Sequence, residues 1–144
     1  MKVASILRAK GLHVETVAPE TTLGSVAWTL RSRAIGALVV VDGHGSIAGV
    51  ISERDIVNGL AEHGADLLGM RVAQVMNRSV VACTPEDNIT SVMAQMTRYR
   101  VRHVVVTEQG RLHGIVSIGD VVKHRLDELE LEANVLRETL IARR

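Results

Sequence analysis

The sequence predicts an α+β protein made of two β-α-β-β-α repeats followed by a C-terminal helix. Three observations predict this: an internal repeat, the same order of strand and helix patterns in each copy, and a tail free of glycine and proline. Shifting the chain against itself by 66 residues, and by 65 after a one-residue gap near His44, aligns residues 17–57 with 83–122. Pro19, Glu20, Ser25, Val26, Val39 and Val40 meet Pro85, Glu86, Ser91, Val92, Val105 and Val106. Gly45, Gly49, Ser52, Asp55 and Val57 meet Gly110, Gly114, Ser117, Asp120 and Val122. That is eleven identities in forty pairs, where chance composition gives roughly three.

Each copy opens on a short extended piece, Val14 to Val17 or Val80 to Cys83. Pro19 and Pro85 then suit the first helical position, where a missing N–H costs nothing, and Thr84 is placed to cap the second helix. Leu23, Val26, Ala27 and Leu30, matched by Ile89, Val92, Met93 and Met96, recur at helical spacing and predict one buried face. The β-branched runs "ALVVV" and "HVVVT" lead through glycine-containing turns into "GVIS" and "GIVS", which reads as a hairpin. Gly43, Gly45 and Gly110 serve those turns. Gly49 and Gly114 suit either a close backbone approach or a strand-end bulge.

A Ser-x-x-Asp turn opens the last helix of each copy, at Ser52 and Asp55 and again at Ser117 and Asp120. The hydroxyl at the N-cap and the carboxylate three residues on form a capping box. The same pair can also hold a ligand. Free N–H groups at a helix N-terminus favour an anion such as phosphate, and a carboxylate can accept two hydrogen bonds. From Lys123 to Arg144 the apolar residues Val122, Leu126, Leu129, Ala133, Leu136 and Leu140 recur in steps of 4 and 3, a stripe suited to packing on another helix. The helix either meets a second copy or folds back on its own module. The expected segments are residues 1–65, 66–123 and 124–144.

Composition excludes several classes. No apolar run approaches the roughly 20 residues that span a bilayer, and the first residues lack a signal-peptide pattern, so no membrane role and a cytoplasmic location are expected. Cys83 stands alone, ruling out an internal disulfide, and no histidine sits at metal-ligand spacing. Seventeen basic residues against sixteen acidic ones leave a net charge of +1, and only Trp28 and Tyr99 are aromatic. A nucleic-acid partner through Arg98, Arg100 and Arg102 is therefore disfavoured. Without a G-x-S-x-G turn, a Walker loop or a dinucleotide fingerprint, no enzyme and no catalytic cofactor are expected.

The two Gly-h-h-Ser-x-x-Asp motifs, the lead-ins "VETVAP" and "VVACTP" and the strand "RVRHVVV" together resemble a tandem pair of CBS domains over about residues 3 to 123. The resemblance implies two repeats packed sheet to sheet as a pseudo-twofold pair. It also implies that clefts between them take adenosine-containing ligands such as AMP, ADP, ATP, NAD or S-adenosylmethionine. The implied role is regulation of an unknown target protein, with no catalysis, and the resemblance also implies a homodimer to which the C-terminal helix adds a seam. By the same resemblance the base lies against Thr16, Val17, Ala18, Val81 and Cys83 of the lead-in strands and against the β-branched strands, the first of which starts at Ala37. Arg102 and His103, with Arg100 on the same strand face, are the expected phosphate partners at Ser117 and Asp120, where the first copy has Gly36, Ala37 and Ala34. Arg54 and Arg33 are the candidates at Ser52 and Asp55. The second site is expected to be the stronger.

Overall fold

A computed structural model describes residues 1–11 and 13–143. The elements run α1 (Val3–Lys10), β1 (Thr16–Val17), α2 (Leu23–Arg33), β2 (Ala37–Val41), β3 (Ile47–Ser52) and α3 (Glu53–His63). Two 3₁₀ turns, Gly64–Gly69 and Val72–Gln74, lead to β4 (Ala82–Cys83), α4 (Ile89–Tyr99), β5 (His103–Glu108), β6 (Arg111–Ser117) and α5 (Ile118–Ala142). The strands form two three-stranded sheets of order β1-β2-β3 and β4-β5-β6, so the chain is α+β with a C-terminal helix. In each sheet the short lead-in strand pairs parallel to the central one, Thr16 with Val39 and Ala82 with Val105.

The chain divides into two compact units. One holds His13–Val80 with Gln109–His113, and the other holds Met1–Leu12, Val81–Glu108 and Gly114–Arg144. The compact units do not divide the chain between residues 65 and 66. The cause is a pair of lead-in segments that the 66-residue shift does not reveal. At a shift of 69, "MKVASIL" (1–7) meets "MRVAQVM" (70–76), and each docks on the repeat that it does not precede in the chain. Val72 and Ala73 donate backbone N–H bonds to the carbonyls of Thr21 and Pro19 at 2.8 and 3.0 Å. Val3 and Ala4 donate to Asp87 and Pro85, both at 2.9 Å.

These contacts also explain why the helices start later than Pro19 and Pro85 suggested. Both prolines lie in turns whose carbonyls are already engaged, and α2 begins at Leu23 behind Thr22, which accepts from the Ser25 N–H at 3.3 Å. The cap of α4 is Asn88 rather than Thr84, whose own N–H donates to the Asp87 carboxylate at 2.8 Å. The helices close alike. Ala34 and Arg100 both take left-handed backbone, with φ of 53° and 54°, a conformation that costs a non-glycine residue about 1 kcal/mol. The next residue recovers a bond each time, Ile35 N–H to Leu30 and Val101 N–H to Met96, both 3.1 Å.

Two aliphatic cores result. Leu23, Val26, Leu30, Leu38, Val40, Ile51 and Leu67 close with Val72 and Met76 from the docked lead-in. Ile89, Val92, Met96, Val104, Val106, Val116 and Val121 close with Val3, Ile6 and Leu7. The stripes read for α2 and α4 enter these cores through Leu23, Val26 and Leu30 and through Ile89, Val92 and Met96. The hairpin glycines Gly45 and Gly110 have φ of 79° and 74°, so the turns use the freedom only glycine has there. The tail is no separate element, because α5 runs unbroken for 25 residues from Ile118.

Candidate functional site

Both Ser-x-x-Asp turns form complete capping boxes. At the first, Ser52 Oγ accepts from the Asp55 N–H at 3.3 Å, and Asp55 Oδ2 accepts from the Ser52 N–H at 2.9 Å and from its hydroxyl at 3.0 Å. At the second, Ser117 Oγ accepts from the Asp120 N–H at 3.1 Å and Asp120 Oδ2 from the Ser117 N–H at 2.9 Å. All four residues are half-buried at the point where a strand becomes a helix. One further backbone bond anchors each turn to the strand beside it. Glu53 N–H donates to the Gly36 carbonyl at 3.0 Å and Ile118 N–H to the Arg102 carbonyl at 2.8 Å. The chain thereby brings Ala37, which pairs with Ser52, next to the first turn, and Arg102 next to the second.

The expected site residues fall in two groups, one per unit. Thr16 and Val17 lie in β1 and Ala18 just after it, with Ala37 buried at the head of β2 and Arg54 exposed in the first turn of α3. In the other unit Val81 precedes β4 and its carbonyl accepts from Val105 N–H at 3.0 Å, while Cys83 is buried in β4. Burial, with the Asp87 charge, pushes the Cys83 thiol up to about 12, so this cysteine is a packing residue and no thiolate. Arg102 is exposed and His103, the first residue of β5, is half-buried. Arg100 does not share a strand face with Arg102, because its left-handed backbone closes α4. Arg33 is engaged elsewhere, its Nε 3.5 Å from Glu15. The Arg98 guanidinium lies over the Tyr99 ring, 5.4 Å from its centroid.

Gly49 and Gly114 each permit the close approach of another segment of the chain. A Cβ on Gly49 would stand 2.8 Å from the Asn77 carbonyl oxygen and from Met76 Sδ, and one on Gly114 would stand 2.7 Å from Leu7 Cδ2. Each glycine makes room for the docked lead-in segment. The first also sits beside a register slip between Val40 and Val41.

The residue that sequence reasoning missed is Lys10. Its Nζ lies 2.8 Å from Asp120 Oδ2 and 2.9 Å from the Ile115 carbonyl oxygen. Burial opposes the Asp120 charge, but the Lys10 ammonium and the Ser117 N–H outweigh it and hold the carboxyl below the usual aspartate range. The signal was the second register of the repeat. A shift of 69 over the lead-ins against 66 beyond them leaves three extra residues after Leu7, close to one helical turn, and Lys10 ends that turn.

The family model described as "CBS domain" matches the chain twice, over residues 4–62 and 72–127. The chain belongs to the CBS domain family. Among relatives of this CBS pair, an uncharacterized 17.7 kDa protein of Acidianus ambivalens is 32% identical over 127 residues, covering 88% of this chain and 74% of its own length. The CBS domain-containing protein YhcV of Bacillus subtilis is 26% identical, with 86% and 87% covered. Of solved structures, the CBS-domain containing protein ATU1752 of Agrobacterium tumefaciens superposes with a TM-score of 0.84 at 44% identity, covering 86% of this chain and 92% of that one. The CBS domain pair of protein MJ0100, solved in complex with 5′-methylthioadenosine and S-adenosyl-L-methionine, superposes at 0.76 with 25% identity, covering 85% and 98%.

Away from the turns, Ala27, Leu30, Arg31, Glu53, Ile56 and Val57 line a groove of about 280 Å³ between α2 and α3. Along α5, Val122, Leu126, Leu129, Leu136 and Leu140 are exposed. Among the described residues no helix is long and apolar enough to cross a membrane, and no group of three or more His, Cys, Asp or Glu could hold a metal ion.

Proposed function

We propose that this CBS pair is a regulatory module, not an enzyme, that binds an adenosine-containing ligand such as AMP, ADP, ATP or NAD and signals occupancy to a target protein. The observation that carries this reading is the duplicated capping box, in which a hydroxyl, a carboxylate and a helix N-terminus stand together twice in a chain of this family. The N-terminus suits a phosphate and the carboxylate suits a ribose diol. The adenosine ligands held by the MJ0100 pair support the same class. Thr16, Val17, Ala18, Ala37, Val81 and Cys83 are the proposed aliphatic contacts of the base. Ser52, Arg54 and Asp55 serve one turn, and Arg102, His103, Ser117 and Asp120 the other. A homodimer in the cytoplasm completes the proposal, with the exposed stripe of α5 as an added seam.

Isothermal titration of the folded protein with AMP, ATP and NAD tests it. Binding of at least one, lost in Asp120→Ala at a stability cost of about 1 kcal/mol, is the expected result. Folded protein that binds no adenosine ligand sinks the reading. The exposed α5 stripe favours a second one, an interaction subunit whose turns are only caps. Removal of residues 127–144 would then abolish partner capture in a protein that never bound nucleotide.

A further inference from the structure

Beyond Arg102 and His103, the two turns differ in a further feature that bears on ligand charge. In the first unit the carbonyl of Val50 is satisfied by a neutral donor, the backbone N–H of Asn77, at 2.9 Å. The matching carbonyl in the second unit, that of Ile115, is satisfied by the Lys10 ammonium, which also reaches Asp120. An aspartate at the third position of a helix carries a full negative charge next to the N–H groups that attract a phosphate, so on its own it opposes the anion they favour. Lys10 cancels that charge where it stands. An ammonium has three protons, and two are directed to Asp120 and Ile115, which leaves one for a ligand oxygen. The Lys10 side chain keeps 35% of its surface exposed and Asp120 26%, so neither is sealed from a ligand.

We propose that Lys10 sets the charge preference of the Ser117 and Asp120 site, so that it selects a phosphorylated adenosine ligand over an uncharged one. The proposal rests on the reading that this turn binds an adenosine ligand at all. It adds to that reading a residue from α1, outside the repeated motif, and the chemical class of the ligand. Lys10 leaves the sugar contact in place, since a carboxylate offers about four acceptor positions across its two oxygens.

AMP and 5′-methylthioadenosine share a nucleoside and differ in charge at the 5′ position, so their ratio of affinities reads the preference directly. Both are titrated into the parent chain, Lys10→Met and Lys10→Arg, each also in an Asp55→Ala background that silences the first turn, with thermal melts confirming the fold. Lys10→Met is expected to weaken AMP about ten-fold, the scale of one partly screened charge pair, while 5′-methylthioadenosine binds as before. Lys10→Arg, which keeps the charge, is expected to retain the preference for AMP. Equal weakening of both ligands, or no change in either, overturns the proposal and leaves Lys10 a structural clamp on Ile115. A parent chain that binds neither ligand overturns the ligand-binding reading itself.

Discussion

The two Ser-x-x-Asp turns are matched in backbone and unmatched in charge. Each has its serine at the N-cap, its aspartate bonded back to the serine N–H at 2.9 Å, and its following N–H tied to the carbonyl just ahead of the neighbouring strand. Around Asp55 the matched positions are Gly36 and Ala37; around Asp120 they are Arg102 and His103, with Lys10 brought in from α1. Local hydrogen bonding has kept the scaffold duplicated, whereas the charged groups around it differ and lie outside the motif. A capping box therefore says where a site can be built and little about what it holds.

The lead-in segments offer the largest effects by which to break this symmetry. Leu7 is 3% exposed and packs on Gly114 in the second core, so Leu7→Ala should cost about 2–5 kcal/mol, the range for a buried leucine. Chemical denaturation followed by circular dichroism measures it. A loss below 1 kcal/mol would mean that α1 is not part of the core of that unit.

A smaller effect distinguishes the two glycines. At Gly114 an added methyl group meets the tip of the Leu7 side chain, which can rotate away. At Gly49 it meets the Asn77 backbone carbonyl, which is held by the paired Val50–Asn77 bonds of 3.0 and 2.9 Å and cannot. Gly49→Ala should therefore cost about 1–3 kcal/mol, as overpacking does, and Gly114→Ala visibly less. Denaturation midpoints of the two variants decide the matter, and equal losses would show that both lead-ins yield alike.

Most of this scaffold was legible in the sequence, for physical reasons. The helical stripe of Leu23, Val26 and Leu30 buries one face, so its periodicity reports the core directly, and the unbroken apolar run from Ala37 to Val40 marks a strand buried on both faces. The capping boxes were legible because their bonds span three residues. What escaped was set by contacts far apart in the chain. Pro19 and Pro85 suit helix starts locally, but Ala73 and Ala4 bond to their carbonyls and the helices begin later. Lys10 lies 110 residues from Asp120, and no local pattern marks it. Arg100 departs from the strand face expected of it because "RYRVRH" carries no glycine to mark the position that turns left-handed.

The smallest expected effect is also the one that isolates Lys10. Asp120 has its folded pKa held below the ordinary aspartate value, so the unfolded chain binds the proton more readily than the native one. The stability this contributes is fully present above the ordinary aspartate pKa and is lost as the pH falls through the depressed folded value. Lys10→Met removes part of the cause and should bring the Asp120 carboxyl upward, because burial then acts with less opposition. The parent should exceed the variant by no more than about 1 kcal/mol near neutrality, the range of a partly exposed ion pair, and the gap should close in acid. Denaturation midpoints of both proteins from pH 7 down to the acid limb of stability measure it. A gap that stays constant through the acid range would mean that Lys10 stabilises the unit only through Ile115 and its own stem, leaving Asp120 with the same local surroundings as Asp55.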